Sequence, residues 1–231
     1  MTVSERSSDL ADGDFVELSY TARTVDDDRI IDTTDPGVAT EAALDDVTAT
    51  GPCTVVLGDG HLFEPVETAI KSAGVGASDR IRVDPGAAFG DVDPTATAVV
   101  EVEHLDPDQR TPGSHVVHDG DVAFVESVDD ETATLNFNHP LAGTTIEYEF
   151  AVRRRVTAFD ERVEGLIALY GLDGTLTATR ESTMGTDVLE LEVTNPESLE
   201  RWTDRKRRLV SDLGDHLPVE EVRVVERYDE G

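Results

Sequence analysis

The chain has 231 residues, enough for one or two ordinary domains, and its 50 acidic and 19 basic residues give a formal net charge of −31. This charge argues against nucleic acid as a partner, because the phosphate backbone would be repelled. The N-terminal stretch lacks the apolar core of a signal peptide, and no run approaches the roughly 20 apolar residues of a membrane span. The sequence therefore predicts a cytoplasmic protein that does not bind membranes.

The basic residues are unusual, because only Lys71 and Lys206 are lysines and all the others are arginines. At molar salt the Debye length falls to about 3 Å, so dense surface acid repels itself little and still holds water. The composition thus indicates a salt-loving cytoplasm. Intrinsic disorder is the alternative, since low hydrophobicity with high net charge is its usual mark. Clear strand and helix patterns along most of the chain favour a folded protein.

The first 95 residues have the pattern of short strands and one helix. Alternating apolar residues predict a strand over residues 15–24, and a turn leads to a short strand in RIIDTT. Residues 36–52 are expected to form a loop, and CTVVLG and RIRVDP are further strands. In EPVETAIKSAG, apolar residues recur at helical spacing, with Pro65 in the first turn and Gly74 at the end.

From residue 96 the chain changes to short β-rich runs separated by polar turns. These runs are AVVEVEHL, HVVHDG, DVAFVESV and TATLNFN, and the corner NHPLAG and the strand TIEYEFAVRRRV follow them. The run HVVH places His115 and His118 on opposite faces of its strand. The six histidines therefore predict no metal site.

The last part, from about residue 158, predicts the order α-β-β-α-β. Its second helix is expected to span NPESLERWTDRKRRLVSDLG, with Asn195 as the N-cap and Pro196 at the first helical position. Within this helix RWTDRKRR is a basic island in a very acidic chain. A solvated helix face explains the island, and a contact with an acidic partner or with a second subunit is the alternative.

No phosphate loop, dinucleotide fingerprint or nucleophile elbow is present, so no cofactor is predicted. The chain carries instead an ordered combination of IIDTT, LGDGHLFEPVE, PGAAFG, NHPLAG and IEYEF. In order and spacing these segments resemble the FKBP-type peptidyl-prolyl isomerases, over about residues 13–156. The resemblance is strongest to the SlyD-like branch and to the larger archaeal members.

The resemblance implies an α+β fold of three parts. An antiparallel sheet wrapped on a short helix would comprise residues 10–95 and 139–157, and NHPLAG would mark the return from an inserted chaperone domain at 96–138. Residues 158–231 would form a C-terminal α+β domain. Nothing in its sequence assigns a chemical role to this domain, and a homodimer formed through it is one hypothesis.

The resemblance also implies an apolar pocket in which an X–Pro bond rotates without a metal. The expected catalytic residues are Tyr20, Asp32, Phe63, Phe89 and Tyr148. The expected substrate-binding residues are Ile31, Cys53, Leu62 and Val66, together with Val99, Val116 and Phe124 of the insert. Taken singly, the aromatic residues would be core residues and Asp32 a turn residue, so the assignment rests on the joint pattern.

Three departures from the family pattern weaken the expected pocket. Val66 stands where an aromatic residue usually forms the pocket floor, Phe89 replaces a tyrosine, and Pro65 replaces a glycine. The His- and Cys-rich tail of some SlyD-like proteins is absent from this sequence, so no nickel role is predicted. The sequence therefore predicts an isomerase acting on unfolded or nascent proline-containing polypeptides. The alternative is a holdase chaperone or assembly module with a degenerate, weakly active pocket.

Overall fold

The computed structural model describes residues 9–44, 51–183 and 186–228, and none of the helices in these ranges is long and apolar enough to cross a membrane. The strands are β1 Phe15–Thr24, β2 Ile30–Thr33, β3 Cys53–Val56, β4 Ser78–Val83, β5 Thr97–Glu101, β6 His115–His118, β7 Asp121–Val128, β8 Thr132–Asn136, β9 Ile146–Arg155, β10 Leu176–Thr183, β11 Thr186–Thr194 and β12 Glu221–Arg227. The α-helices are α1 Pro36–Glu41, α2 Glu64–Ala73, α3 Phe159–Leu169 and α4 Trp202–His216.

The described residues form two compact units. The first unit combines the chain up to Val83 with the chain from Glu147 onward, and the second unit is Asp84–Ile146. The mixture of helices with mostly antiparallel strands is consistent with the predicted FKBP-like α+β fold. The predicted insert, 96–138, lies inside the second unit, and the proposed domain boundaries themselves stay a prediction.

The main sheet of the first unit has the strand order β2-β1-β9-β4, and β3 also pairs with β1. The long strand β1 pairs antiparallel with β3 through Phe15–Leu18 and with β2 through Thr21–Arg23. Its alternation places Leu18, Tyr20 and Ala22 on one face, as predicted. One strand therefore fixes the positions of both neighbouring segments.

Helix α2 confirms the helix predicted after β3. Pro65 lies in its first turn, where a backbone N–H would have no partner within the helix. Gly74 ends the helix with a φ of 77°. Val66 and Ile70 are buried on one side of the helix. The helix therefore covers the apolar face of the sheet with the side chains that the sequence pattern indicated.

The predicted loop over residues 36–52 begins with a short helix, α1, which the sequence pattern did not indicate. The Asp35 side chain accepts hydrogen bonds from the backbone N–H groups of Gly37 and Val38, and Pro36 occupies the first turn. These two features are enough to form one helical turn. Residues 45–50 lie outside the described residues.

The C-terminal part contains the sheet β10-β11-β12, in which β11 and β12 are parallel. Its apolar core, which includes Leu166, Leu191 and Leu213, is continuous with Phe15 of β1 and Val56 of β3. The C-terminal strands and helices thus share a hydrophobic core with one end of the main sheet. This sharing explains why they fall in the same compact unit.

The predicted helix from Pro196 to Gly214 is wrong in its first part. Pro196–Ser198 forms a 3₁₀ turn, Leu199 is extended, and Arg201 adopts a left-handed conformation before α4 begins at Trp202. Asn195 is itself left-handed, and its backbone N–H donates to the carbonyl of Arg227. Asn195 therefore precedes the 3₁₀ turn only, and the extended Leu199 separates it from α4, so it is not the N-cap of that helix.

The second unit contains the antiparallel sheet β5-β8-β7-β6. One face of this sheet carries its core: Val100, Leu105, Val116, Ala123, Val125, Ala133 and Leu135. A register shift between Val125 and Ser127 marks a bulge in β7. The four β-rich runs recognised in the sequence therefore form one small sheet with a single apolar face.

The NHPLAG corner packs against the segment that precedes β5. The Asn138 side chain donates to the carbonyl of Asp93 and accepts from its N–H, at 2.9 Å and 2.8 Å. Gly143 has a φ of 75°, and a Cβ there would lie 2.8 Å from the Val92 side chain. Only glycine suits both conditions. The corner therefore holds together the two chain segments that lead into and out of the four-stranded sheet.

Candidate active site

Tyr20 and Asp32 meet on the hairpin of β1 and β2. The Tyr20 hydroxyl donates to Oδ2 of Asp32 at 2.6 Å. The register is fixed beside them, because the Tyr20 backbone N–H donates to Oγ1 of Thr34 and the Thr34 N–H donates back to the Tyr20 carbonyl, both at 2.9 Å. Thr34 was not recognised in the sequence, where it is one of two successive threonines without a distinguishing pattern.

The environment keeps the Tyr20 hydroxyl protonated. Burial raises its pKa far above the usual value, and the negative charge of Asp32 raises it further. The Tyr20 phenol is therefore neutral at physiological pH and acts as the donor to Asp32. The pair thus places a fixed polar group at the edge of an otherwise apolar cluster.

Two more aromatic rings complete this cluster, which we call the aromatic site: Tyr20, Asp32, Phe63 and Tyr148. The rings of Tyr20 and Tyr148 are 5.9 Å apart and tilted, and those of Phe63 and Tyr148 are 6.0 Å apart, edge to face. Tyr148 is buried in β9, and Phe63 is the N-cap of α2. Strands and a helix from distant parts of the sequence therefore converge on one site.

Cys53 borders the aromatic site. It is buried and pairs with Leu18 across β1 and β3. It lies near enough to Tyr20 and Asp32 to interact with them electrostatically. Burial, with a smaller contribution from Asp32, raises the pKa of its thiol to about 12. The thiol is therefore neutral at physiological pH and acts as an apolar wall residue rather than as a nucleophile.

The remaining predicted pocket residues of the first unit differ in burial. Val66 is buried one helical turn after Phe63, whereas Ile31 and Leu62 are half-buried. Val66 therefore lies where a small pocket floor would be expected. The exposed parts of Ile31 and Leu62 leave apolar surface within reach of a ligand.

A cavity of about 500 Å³ lies beside β1, β4 and β9. Its lining includes Ser19, Thr21, Arg80, Glu149 and Phe150, together with Tyr20 of the aromatic site. The cavity therefore borders the aromatic site through Tyr20 and offers both polar and apolar surface.

Four of the predicted site residues belong to the second unit. Phe89 stacks on the ring of His139 from the NHPLAG corner, with centroids 4.4 Å apart and planes within 4°. Val116 is buried in the core of the small sheet, whereas Val99 is 69% exposed and Phe124 is half-exposed. Val116 thus supports this sheet from within and does not lie on its surface.

Two further valines of the small sheet are exposed. Val117 and Val122 pair across β6 and β7 and are 72% and 66% exposed. Strand alternation explains why Val117 is exposed and Val116 is buried, because Val117 follows Val116 and must point to the opposite face. A sequence that reads VV cannot tell which of the two is buried.

One further polar cluster, Asp59, His61 and Asp212, was not anticipated. Its ligand-type atoms lie within 4.8 Å of one another. The prediction of no metal site was based on the positions of the histidines relative to one another, whereas this cluster contains one histidine and two aspartates. Asp212 is 151 residues from His61, so no local spacing could have indicated it.

No protein-family model matches the chain. It is similar to a short-type peptidyl-prolyl cis-trans isomerase of Methanocaldococcus jannaschii, at 28% identity over 144 residues, 61% of this chain and 90% of the relative. SlyD of Treponema pallidum, an FKBP-type peptidyl-prolyl cis-trans isomerase, is 28% identical over 159 residues, 66% of this chain and 81% of the relative.

A third relative is a probable FKBP-type 16 kDa peptidyl-prolyl cis-trans isomerase of Pseudomonas fluorescens, 28% identical over 107 residues, 44% of this chain and 71% of the relative. All three relatives carry the same activity in their names, and two of them are named as FKBP-type. Together with the mixed α+β fold, these similarities support the FKBP family for this chain.

Proposed function

We propose that this protein is a peptidyl-prolyl cis-trans isomerase that rotates X–Pro bonds of unfolded or folding polypeptides at the aromatic site. The observation that carries the proposal is the convergence of Tyr20, Asp32, Phe63 and Tyr148 in a chain similar to three isomerases. The proposed reaction needs no covalent intermediate.

The proposed mechanism is desolvation of the imide. Rotation about the X–Pro bond has a barrier of about 18–20 kcal/mol, because resonance gives the C–N bond double-bond character. The resonance form is dipolar, so water stabilises it and an apolar wall does not. Phe63, Tyr148 and the buried Val66 would supply that wall, and a backbone N–H near Phe63 would hold the substrate carbonyl.

Asp32 would be the one charged group beside the bound proline. Its hydrogen bond from Tyr20 fixes the carboxylate, so it can meet the twisted imide in one orientation. Phe89 belongs to the second unit, and the catalytic role that the family resemblance implies for it stays a prediction. Its ring carries no hydroxyl, so it would contribute packing and no hydrogen bond.

The test is proline-limited refolding of a model protein at molar KCl. We expect catalytic amounts of the intact chain to accelerate the slow phase, and Asp32→Ala to reduce this acceleration about tenfold. Asp26→Ala, an exposed carboxylate in the turn of the same hairpin, is the matched control and should leave it unchanged. Equal rates for the two variants would remove Asp32 from the mechanism, and an unaccelerated slow phase with intact protein would refute the isomerase.

A chaperone activity of the second unit is the second candidate. It is favoured by the apolar residues Val99, Val117 and Val122, which are exposed on one face of the small sheet and would bind extended polypeptide. Thr97 pairs with Asn136 at the sheet edge, so residues 97–136 can be replaced by a short loop. We expect that replacement to abolish suppression of client aggregation.

Point variants separate the two activities. Val117→Ser with Val122→Ser should weaken suppression of aggregation several-fold while the rate on a short proline peptide stays unchanged. Asp32→Ala should do the reverse. If the valine variant instead slows the short peptide as much as the protein substrate, the second unit has no independent role in client capture.

A homodimer through the C-terminal part is the third element of the proposal. Arg201, Arg205 and Arg208 line a cavity of about 190 Å³ with Tyr170, and in the described part of the chain no carboxylate forms an ion pair with any of the three. In so acidic a protein, unpaired arginines would suit an acidic surface of a second copy. Light scattering of Arg201→Glu with Arg208→Glu would then give half the mass of the native protein, and an unchanged mass would refute this contact.

A further inference from the structure

A buried polar cluster joins the C-terminal part to the turn between β3 and α2. The side chains of His61 and Asp212 are 9% and 11% exposed, and Nε2 of His61 lies 3.1 Å from Oδ2 of Asp212. The Tyr170 hydroxyl donates to the same oxygen, and its ring meets the His61 ring edge to face at 6.4 Å. Asp212 therefore has two donors from two different segments of the chain.

The hydrogen bonds fix the tautomer of His61. The backbone N–H of Val56 donates to Nδ1 of His61 at 3.0 Å, so Nδ1 carries no proton. A neutral imidazole then holds its proton on Nε2, which donates to Asp212. The ring thus connects the last residue of β3 to α4.

The same tautomer argues against a metal ion in this cluster. A cation bound by Asp59, His61 and Asp212 would need the lone pair of Nε2, and the ring would then have no N–H at all. The arrangement suits a proton donor to a carboxylate instead. The cluster is therefore a hydrogen-bonded support rather than a metal site.

The supported turn leads directly to the aromatic site. Phe63, the N-cap of α2, follows His61 by two residues. The other end of the turn is held by the Gly58 N–H, which donates to the buried Glu67 of α2 at 3.0 Å. Asp212 thus restrains His61 of this turn, and Asp59 of the same turn lies 3.0 Å from Nε2 of His216 in α4.

We propose that Asp212 and Tyr170 are positioning residues for the isomerase site: they hold His61 in one tautomer and orientation and thereby hold the turn that places Phe63. The inference rests on the proposed isomerase function. It gives the C-terminal part a role in the reaction without contact with the substrate. Burial on its own raises the pKa of Asp212, but the hydrogen bonds from His61 and Tyr170 outweigh it and keep the carboxylate charged.

The experiment compares Asp212→Asn with Glu226→Gln in the full chain. Glu226 is a matched control, because it is another C-terminal carboxylate that accepts hydrogen bonds, from Trp202, Lys206 and Tyr228. We expect Asp212→Asn to lower kcat/KM on a proline peptide five- to tenfold, mainly through KM, and Glu226→Gln to leave it within twofold. Tyr170→Phe, which removes one hydroxyl, should lower it two- to threefold and serves if Asp212→Asn does not fold.

Ring ¹⁵N NMR of His61 supplies a readout that does not depend on activity. The native protein should have the proton on Nε2, and Asp212→Asn should shift the tautomer and the amide signals of Val56 and Phe63. If the native protein is inactive, the proposed function fails. The changes in the His61 tautomer and in the Val56 and Phe63 signals then still show whether Asp212 positions the turn. A proton on Nδ1 in the native protein would overturn the inference, as would a folded Asp212→Asn variant with native kcat/KM and native Phe63 signals.

Discussion

At the scale of single residues, the partly buried hydrogen bond from Tyr20 to Asp32 combines a neutral donor with a charged acceptor. Such bonds stabilise a fold by about 1.5–3 kcal/mol, more than bonds between two neutral groups. The same two strands offer a neutral comparison, because the hydroxyls of Thr21 and Thr33 meet at 2.8 Å. The two pairs differ in charge and share their strands.

We therefore predict different coupling energies in two double-mutant cycles. Tyr20→Phe with Asp32→Asn should show a coupling of about 1.5–3 kcal/mol in the free energy of unfolding, and Thr21→Val with Thr33→Val about 0.5–1.5 kcal/mol. Urea unfolding at molar KCl measures both. If the tyrosine–aspartate coupling is no larger than the threonine coupling, the charged bond is exposed to water in solution.

Cys53 predicts a loss of stability at alkaline pH. Burial raises the pKa of its thiol in the folded state to about 12, whereas an unfolded thiol has a pKa of about 8.5. The neutral thiol therefore favours the folded state below about pH 8.5, and this contribution is lost as pH rises toward 12. Between pH 8 and 11 the free energy of unfolding should fall less steeply for Cys53→Ala than for the native protein. Parallel curves would mean that the thiol is accessible in the folded protein.

At the scale of elements, helix α3 and strand β3 approach so closely that one position admits no side chain. A Cβ on Gly165 of α3 would lie 2.6 Å from Cβ of Thr54 on β3. In an ordinary helix, alanine is more stable than glycine by about 1 kcal/mol. Here the steric contact outweighs that preference, because Cβ of Thr54 belongs to a strand that cannot move freely.

We predict opposite effects for two glycine-to-alanine substitutions. Gly165→Ala should destabilise the protein by about 1–3 kcal/mol. Gly214→Ala in α4, where nothing lies within 4 Å of the new Cβ, should stabilise it by up to about 1 kcal/mol. Urea unfolding measures the free energy of unfolding of both variants. Adding Thr54→Gly to Gly165→Ala should recover part of the lost stability. A stabilising Gly165→Ala would mean that the two elements separate easily.

At the scale of the whole molecule, the net charge of −31 opposes the compact state. Salt screens this repulsion, since the Debye length decreases from about 10 Å at 0.1 M to about 3 Å at 1 M. The prediction of a salt-rich environment, made from the few lysines and the many acidic residues of the sequence, rests on this screening.

The free energy of unfolding should accordingly rise as KCl increases from 0.2 M to 3 M. A variant that neutralises the exposed turn between β7 and β8 (Asp129→Asn, Asp130→Asn, Glu131→Gln) should have a smaller dependence on salt, because three negative charges are gone. Thermal unfolding across the KCl series measures the two slopes. Identical slopes would assign the salt effect to burial of apolar surface rather than to charge.

The sequence by itself determined the elements whose signals are local. The alternation in β1, the first-turn Pro65 and terminal Gly74 of α2, and the β-rich runs of the second unit were all predicted, because each depends on neighbours a few residues away. The family resemblance named Tyr20, Asp32, Phe63 and Tyr148, which the structure brings together.

Only the tertiary structure decided the features that depend on distant partners. Asn195 fails to cap α4 because a 3₁₀ turn and the extended Leu199 lie between them, and Val117 rather than Val116 is exposed because the core lies on one face of the sheet. His61 meets Asp212 across 151 residues. Such contacts arise from burial and hydrogen bonding between segments that the fold brings together, and no spacing along the chain encodes them.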